Sequence, residues 1–424
     1  MLDKRVKRVA ILLLVLLLNS SINLNSSAQE LDVAKNFGWA SGTKGGFGGK
    51  VVRVTNLNST GKGSFLQAIK TKGKRIIVFE VGGIIDMQGH RWILNDPYVT
   101  IMGQTAPSPG ITFINGGLII RTHDVIIQHI RVRTGAEVVK QPLDALCTDS
   151  YSYNVIIDHC SFMWAVDENL SASGQRFNGK TPNEWRKNTS NRITFSNNII
   201  GEGLLSSVHE KGQHSMGTLV HDNVSDILIM RNLYTNNNDR NALLKGGSRG
   251  VFLNNYIFNP GIRSIWFALA ESEWKGREKQ KSLWSVVGNV VRLGPSSQRD
   301  IALFYAKSGP LSVYLDDNRL FNPDGDLSNN IYKGDLQNKS TIKPIWHNGL
   351  QVLRSTELED YIIKNVGARP WDRDDEDKRI IDAVVKRKGA IISSEREVKI
   401  KVEHRSSKRI FNEKEWDLKK LKSK

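Results

Sequence analysis

The chain has 424 residues, 39% of them hydrophobic, a formal net charge of +17 at pH 7, and two cysteines, Cys147 and Cys160. That length can bury a large core, and two cysteines are too few for a disulfide framework. The positive excess points to an anionic partner, or else resides mostly in the basic stretch from Ile391 to Lys424.

Lys4, Arg5, Lys7 and Arg8 precede the apolar run Val9–Leu18, and Ser26-Ser27-Ala28 supplies small residues for cleavage. This pattern predicts a secretory signal peptide over residues 1–28, too short for a membrane span. No later apolar run approaches the roughly 18 residues that a spanning helix needs. The expectation is an exported, monomeric protein, secreted or periplasmic, with no membrane span in the mature chain. Export and the lack of a recognisable nucleic-acid-binding motif argue against a nucleic-acid partner, so an acidic polysaccharide fits the charge better.

A Gly-rich opening, 37–49, leads into a strand at Val51–Val54. Thr60-Gly-Lys-Gly-Ser64 then introduces FLQAIK, a short helix with Ser64 as N-cap, suited to covering an open sheet edge. Arg75–Asp86 reads as one strand. From there a loose repeat sets in: YVTIMG (98–103), DVIIQHI (124–130), NVIIDHC (154–160), RITFSNN (192–198), DILIMRN (226–232), GVFLNN (250–255), WSVVGN (284–289) and SVYLDDN (312–318). Each is a short strand followed by a polar corner, and Asn198, Asn232, Asn255, Asn289 and Asn318 occupy matching corners. Asn tolerates left-handed backbone and can hydrogen-bond along a stack. A coil of about 23 residues, lengthened by loops, predicts an all-β fold, a parallel β-helix. A sandwich or propeller would not require Asn at one corner of every coil.

Insertions at 134–153, 172–191 and 201–223 should project as loops on a binding face. The repeats fade near residue 345, closing a β-helix domain over 29–345. Thr356–Val366 reads as a helix. A second begins with the acidic run Asp374–Asp377 and ends basic, complementing the helix dipole. Residues 346–395 are therefore expected to flank or cap the β-helix, and 396–424 to form a charged, mobile tail.

The chemistry-bearing stretches are DALCTDSYSYNVIIDHCSFMWAVDENLS (144–171) and NNNDRNALLKGG (236–247). The residues alone show two acidic points, Asp144 and Asp167-Glu168, flanking one strand, and cations two strand repeats later. Either acidic point is equally readable as solvated surface. Cys160 falls in a strand pattern and reads as a buried free thiol, with no bond to Cys147 expected. His159 alternates with apolar residues and reads as a hydrogen-bonded stack member. His209 and His214 have metal-like spacing, but no third ligand is evident and zinc is not expected.

Taken together, VTNLNSTGKGSFLQAIK, RIIVFEVGGIID, NVIIDHCSFMWAVDENLS, HEKGQHSMG and NNNDRN resemble the pectate lyase superfamily of the polysaccharide lyase family one type, over roughly 37–390. The resemblance implies a right-handed parallel β-helix and calcium-dependent β-elimination on α-1,4-linked galacturonate. It implies metal binding by Asp144, Asp167 and Glu168, Arg240 as catalytic base, and substrate binding by Lys211 and Lys245. Three positions depart from the family pattern. Ser171 stands where another aspartate is usual, Ala242 where a proline is usual, and Lys245 where an arginine is usual. Lysine keeps the charge of that arginine without its bidentate fork. Two other functions compete on the same fold. A glycoside hydrolase would use paired carboxylates without the lysine–arginine cluster. A non-catalytic polysaccharide-binding protein is favoured by the departures at Ser171 and Ala242.

Overall fold

The computed structural model describes residues 37–210, 212–398 and 405–423; the expected signal peptide and Lys211 lie outside them. The eight repeats stack as consecutive rungs of one parallel sheet, here the first, which runs in ten strands from Lys50–Val54 to Leu311–Asp316. Each coil passes from this sheet to a second, beginning at Val81–Asp86, and then to a third, beginning at Arg91–Leu94, before returning. The architecture is a right-handed parallel β-helix. Arg75–Asp86 is two strands rather than one: Arg75–Phe79 lies in the first sheet and Val81–Asp86 in the second. The coil turns its corner at Glu80, whose carboxylate points outward to Arg53 at 2.7 Å.

Strand alternation sends every second side chain inward. Ile77, Ile101, Ile127, Ile157, Phe195, Ile229, Phe252 and Val286 lie in register down the axis and are almost fully buried. Each contributes roughly 1.5–3 kcal/mol relative to exposure. The corner asparagines form a continuous ladder: Nδ2 of Asn198 donates to Oδ1 of Asn232 at 3.0 Å, Asn232 to Asn255 at 2.9 Å, Asn255 to Asn289 at 3.2 Å and Asn289 to Asn318 at 2.9 Å. The left-handed residue is the one before each ladder position: Asn197, Arg231, Asn254, Gly288 and Asp317. The ladder residue thus satisfies the buried corner while its neighbour makes the turn.

Two of the three outer faces are covered. Against the first sheet lie Phe37 and Ala40 from the N-terminal turn, Trp346 and Leu350, and Phe411 and Leu421 from the C-terminal stretch. That stretch was expected to trail as a mobile tail. Within 405–423 it is instead seated, because Phe411 and Leu421 bury apolar surface and Ser407–Lys408 pairs antiparallel with Val81 and Gly82. The second sheet is covered by the helices Leu358–Asn365 and Asp375–Val385. The acidic start of the latter does more than oppose a dipole. Asp374 and Asp377 receive Arg133 at 2.8 Å and the fully buried Arg131 at 3.0 Å, so two arginines of the second sheet fix the helix. The N-terminal helix forms as expected over Phe65–Ile69, with Ser64 Oγ accepting from Gln67 N–H at 3.2 Å. The third sheet is flanked instead by the connections that enter and leave its strands.

Candidate active site

The connections from the second sheet to the third carry most of the candidate residues. A second asparagine ladder holds this corner. Asn169 Nδ2 donates to Asn237 Oδ1 at 3.0 Å, and Asn237 Nδ2 to Asn241 Oδ1 at 3.2 Å. These three asparagines sit beside Asp167-Glu168 and Arg240 in sequence, so the ladder that satisfies the buried corner also fixes the site. The Leu143 carbonyl accepts both the Val166 and Asp167 N–H groups, at 3.2 and 3.1 Å, which sets Asp144 beside Asp167. Val139, Leu143 and Val166 pack beneath as an apolar footing.

Asp144, Asp167 and Glu168 converge, each placing a carboxylate oxygen within 4.8 Å of the others. Burial, and next the Asp167 charge, push the Asp144 carboxyl up to about 7. The Ser171 hydroxyl donates to Asp144 and opposes that rise. For Asp167, burial alone would raise the carboxyl, but His214, Arg240 and His209 outweigh it and hold it below the ordinary carboxylate range. Arg240 forms an ion pair with Glu168, its backbone in the left-handed region at φ +57°. Burial pulls its guanidinium below the usual range, against Asp167 and Asp144, which push it back up. Among the described residues, its Nε is buried without a hydrogen-bond partner.

Lys245 does not join this group. It ends the strand Leu243–Lys245, at the far margin of the third sheet, where it pairs with Glu273 and lies 3.9 Å from Asp222. Arg176 reaches the same Glu273 at 2.8 Å. Ala242 is buried in the core. Cys147 and Cys160 are both free, and Cys160 is buried. His159 is the stack member expected of it, its Nδ1 at 2.7 Å from Asp158 and its ring 5.2 Å from that of His129.

Two features escape a reading of the sequence. Arg263 follows Arg240 by the same 23-residue interval that separates Asn232 from Asn255, and its guanidinium lies 4.0 Å over the Trp266 ring while pairing with Asp239. Extending the coil period to this corner would have found it. The other is the third partner of the histidine pair: Asp167 lies 3.6 Å from His209 Nε2 and 3.5 Å from His214 Nε2. No local spacing reveals it, because Asp167 belongs to the preceding coil.

The oxygen cluster suits a divalent cation. Carboxylates this close repel unless one takes a proton or a cation lies among them, and after desolvation the Asp167 charge is the next cause of the upward shift at Asp144. Oxygen-only donors are those a hard cation prefers. Glu168 is engaged by Arg240, so Asp144 and Asp167 are the leading donors.

No family model matches the chain. Curated relatives do. A probable pectate lyase C from Aspergillus terreus is 33% identical over 68% of this chain and 60% of its own length. One from Emericella nidulans is 31% identical over 84% of this chain and 77% of its own length. The chain thus spans about three fifths of the first relative and over three quarters of the second. Among solved structures, a pectate lyase bound to hexasaccharide superposes with a TM-score of 0.56 at 14% identity, covering 82% of this chain and 99% of that one. The major allergen from cedar pollen does so at 0.54 and 16%, covering 78% and 92%. These two likenesses establish the fold.

A parallel β-helix bearing a half-buried arginine among clustered carboxylates has the form of a polysaccharide lyase. The chain belongs to the pectate lyase family.

Proposed function

We propose that the chain cleaves pectate, α-1,4-linked galacturonan, by β-elimination, with Arg240 as the base. The observation that carries this reading is the placement of Arg240, half-buried and drawn below the usual guanidinium range, beside Asp144, Asp167 and Glu168. A pectate lyase of the same fold is described as bound to a hexasaccharide, which accords with an oligosaccharide substrate.

Elimination removes the weakly acidic proton on the carbon next to a uronate carboxylate. Neutral Arg240 takes that proton, the electron pair forms a carbon–carbon double bond, the glycosidic bond breaks, and the departing oxygen takes a proton from solvent. A free arginine titrates at about 12.5 or higher, and each unit of depression costs about 1.4 kcal/mol. Desolvation supplies part of the depression, and a cation held by Asp167 and Asp144 would offset the two charges that oppose it. The reaction should therefore favour alkaline pH. Asp144 and Asp167, with the Ser171 hydroxyl beside them and Glu168 once freed, would hold Ca²⁺. When bound, Ca²⁺ supplies positive charge against the uronate carboxylate, whose negative charge grows as the proton leaves.

Lys211 would hold substrate from the connection after Ile199–Gly201. Lys245 would reach it only by leaving Glu273. Export through the N-terminal segment would bring the enzyme to its polymer.

The test is incubation with polygalacturonate, with and without chelator. The expected result is an ultraviolet-absorbing unsaturated product that chelation suppresses. Reducing ends without that absorbance would indicate hydrolysis, and binding without either product a carbohydrate-binding protein.

A further inference from the structure

Arg240 carries its side chain from a left-handed backbone, φ +57°, which residues other than Gly, Asn and Asp seldom adopt. Two hydrogen bonds pin that residue. Asp239 Oδ1 accepts the Arg240 N–H at 2.7 Å, and the Arg240 carbonyl accepts the Thr218 N–H at 2.6 Å. The second bond needs only backbone atoms of stacked coils. The first depends on a side chain, and so on what holds that side chain.

Asp239 is 3% exposed, so its charge requires a counter-charge. Arg263, half-buried one coil further along, supplies it. Its Nε donates to Asp239 Oδ1 at 3.1 Å and its Nη2 to Oδ2, a two-point fork that fixes the plane of the carboxylate. The fork is itself held. The guanidinium lies 4.0 Å from the centre of the Trp266 ring, and Trp266 is buried, its backbone N–H donating to the Ala242 carbonyl at 2.9 Å. The Arg263 carbonyl accepts from Asn241 Nδ2 at 3.1 Å, which ties its main chain to the second asparagine ladder. Trp266, Arg263, Asp239 and the Arg240 N–H thus form one line of support leading to the base.

An ion pair at a partly exposed arginine usually adds little to stability. This one is set apart by the second duty of its carboxylate. Without the fork, Asp239 is free to turn toward water or toward the Arg240 guanidinium, and either motion releases the Arg240 N–H. The left-handed backbone then loses a restraint, and the guanidinium loses its aim. We propose that Arg263 is a positioning residue for the elimination, acting through Asp239 to hold the backbone of Arg240. The inference rests on the reading of Arg240 as the base, and it gives Arg263 no contact with substrate.

The test compares steady-state cleavage of polygalacturonate by the full-length mature protein, Arg263→Met, Asp239→Ala and the double variant, at saturating Ca²⁺. Methionine keeps an apolar contact for Trp266 and removes the fork. The expected result for Arg263→Met is a kcat lower by about 10- to 100-fold, the scale of a misplacement of about 1 Å, with KM within about threefold. In the Asp239→Ala background the same substitution should cost less than about threefold more, because the two residues act as one unit. A normal kcat, a rise in KM alone, or losses that multiply in the double variant would overturn the proposal. If Arg263→Met fails to fold, Arg263→Lys decides. It keeps the counter-charge without the fork, so kcat should still fall by about tenfold, and a normal kcat overturns the proposal. Crystal structures of the wild type and the folded variant without substrate read the positioning even if the wild type yields no unsaturated product, an outcome that would sink the lyase reading alone. The variant should lose the hydrogen bond from Arg240 N–H to Asp239 and shift the Arg240 guanidinium by about 1 Å or more. An unmoved Arg240 overturns the proposal.

Discussion

Glu168 and Arg240 are joined by an ion pair that bridges the intervening strand Met216–Val220. Glu168 opens its strand in the third sheet, and Arg240 follows Asp239, which bridges to Met216 on the same line. The pair lies beside Asp144 and Asp167, with Glu168 buried and Arg240 half-buried. It therefore sets the aim of the guanidinium and how many carboxylate oxygens remain for a cation.

If Arg240 abstracts the proton, Arg240→Lys should lower kcat by about 100-fold or more, the scale of a general base, with KM within about threefold. The substitution keeps one positive charge but changes its reach and fork. Steady-state formation of the unsaturated product measures both constants. Near-normal turnover would assign the base to another residue.

Asp167 belongs to the carboxylate cluster with Asp144 and Glu168, so its removal should act on metal dependence first. Asp167→Ala is expected to raise the Ca²⁺ concentration for half-maximal activity by at least about tenfold, because the charge count of the ligands sets affinity. The measurement is activity against free Ca²⁺ in a buffered series. An unchanged midpoint would remove Asp167 from the calcium donors.

The sequence carried the coil and its corners plainly, because each rung repeats the same buried pattern and an unpaired corner amide would be costly. It carried Asp144, Asp167, Glu168 and Arg240 as one neighbourhood through resemblance, and the coil stacking brings those four together. What stayed hidden depends on which connection each residue occupies. Lys245 follows Arg240 closely in sequence, yet a strand carries it across the third sheet to Glu273. Asp167 and His209 are far apart in sequence, yet meet because consecutive coils stack. The seating of residues 405–423 was equally hidden. Their charged composition suggested solvation, while a few apolar side chains determine where they pack.

The asparagine ladder makes a stability prediction with an internal control. Asn255→Ala removes the acceptor of the buried Asn232 N–H and a donor to the Ile229 carbonyl, besides two ladder contacts. Two orphaned backbone groups at about 1–3 kcal/mol each should cost about 3 kcal/mol. Asn318 ends the ladder and is partly exposed, so water can replace what Asn318→Ala removes, and the cost should be about 1 kcal/mol or less. Urea denaturation of the two variants compares them. Equal losses would mean that the ladder's hydrogen bonds do not govern the corner.

His129 should give the protein an acid limit unrelated to catalysis. Its ring is buried, Arg369 N–H donates to its Nδ1 at 3.2 Å, and the ring packs on those of His159 and Trp371. A nitrogen that accepts has no room for a second proton. Burial chiefly, then His159, Arg369 and Arg131, hold the imidazole well below its ordinary value, with Asp158 opposing them. The sign follows from the depression. Above the unfolded value of about 6.5 both states are neutral at this residue and its full contribution is present. As pH falls, the unfolded chain takes a proton that the folded chain resists, so stability drops by up to about 1.4 kcal/mol per unit until the folded value is reached. Between pH 6.5 and 5 the wild-type chain should thus lose stability at this position. His129→Gln cannot titrate, so its stability should fall less steeply over that interval, whatever it loses at neutral pH. Urea midpoints of both proteins at half-unit pH steps measure the difference. Parallel curves would show that His129 is already protonated in the fold, in conflict with the hydrogen bond from Arg369.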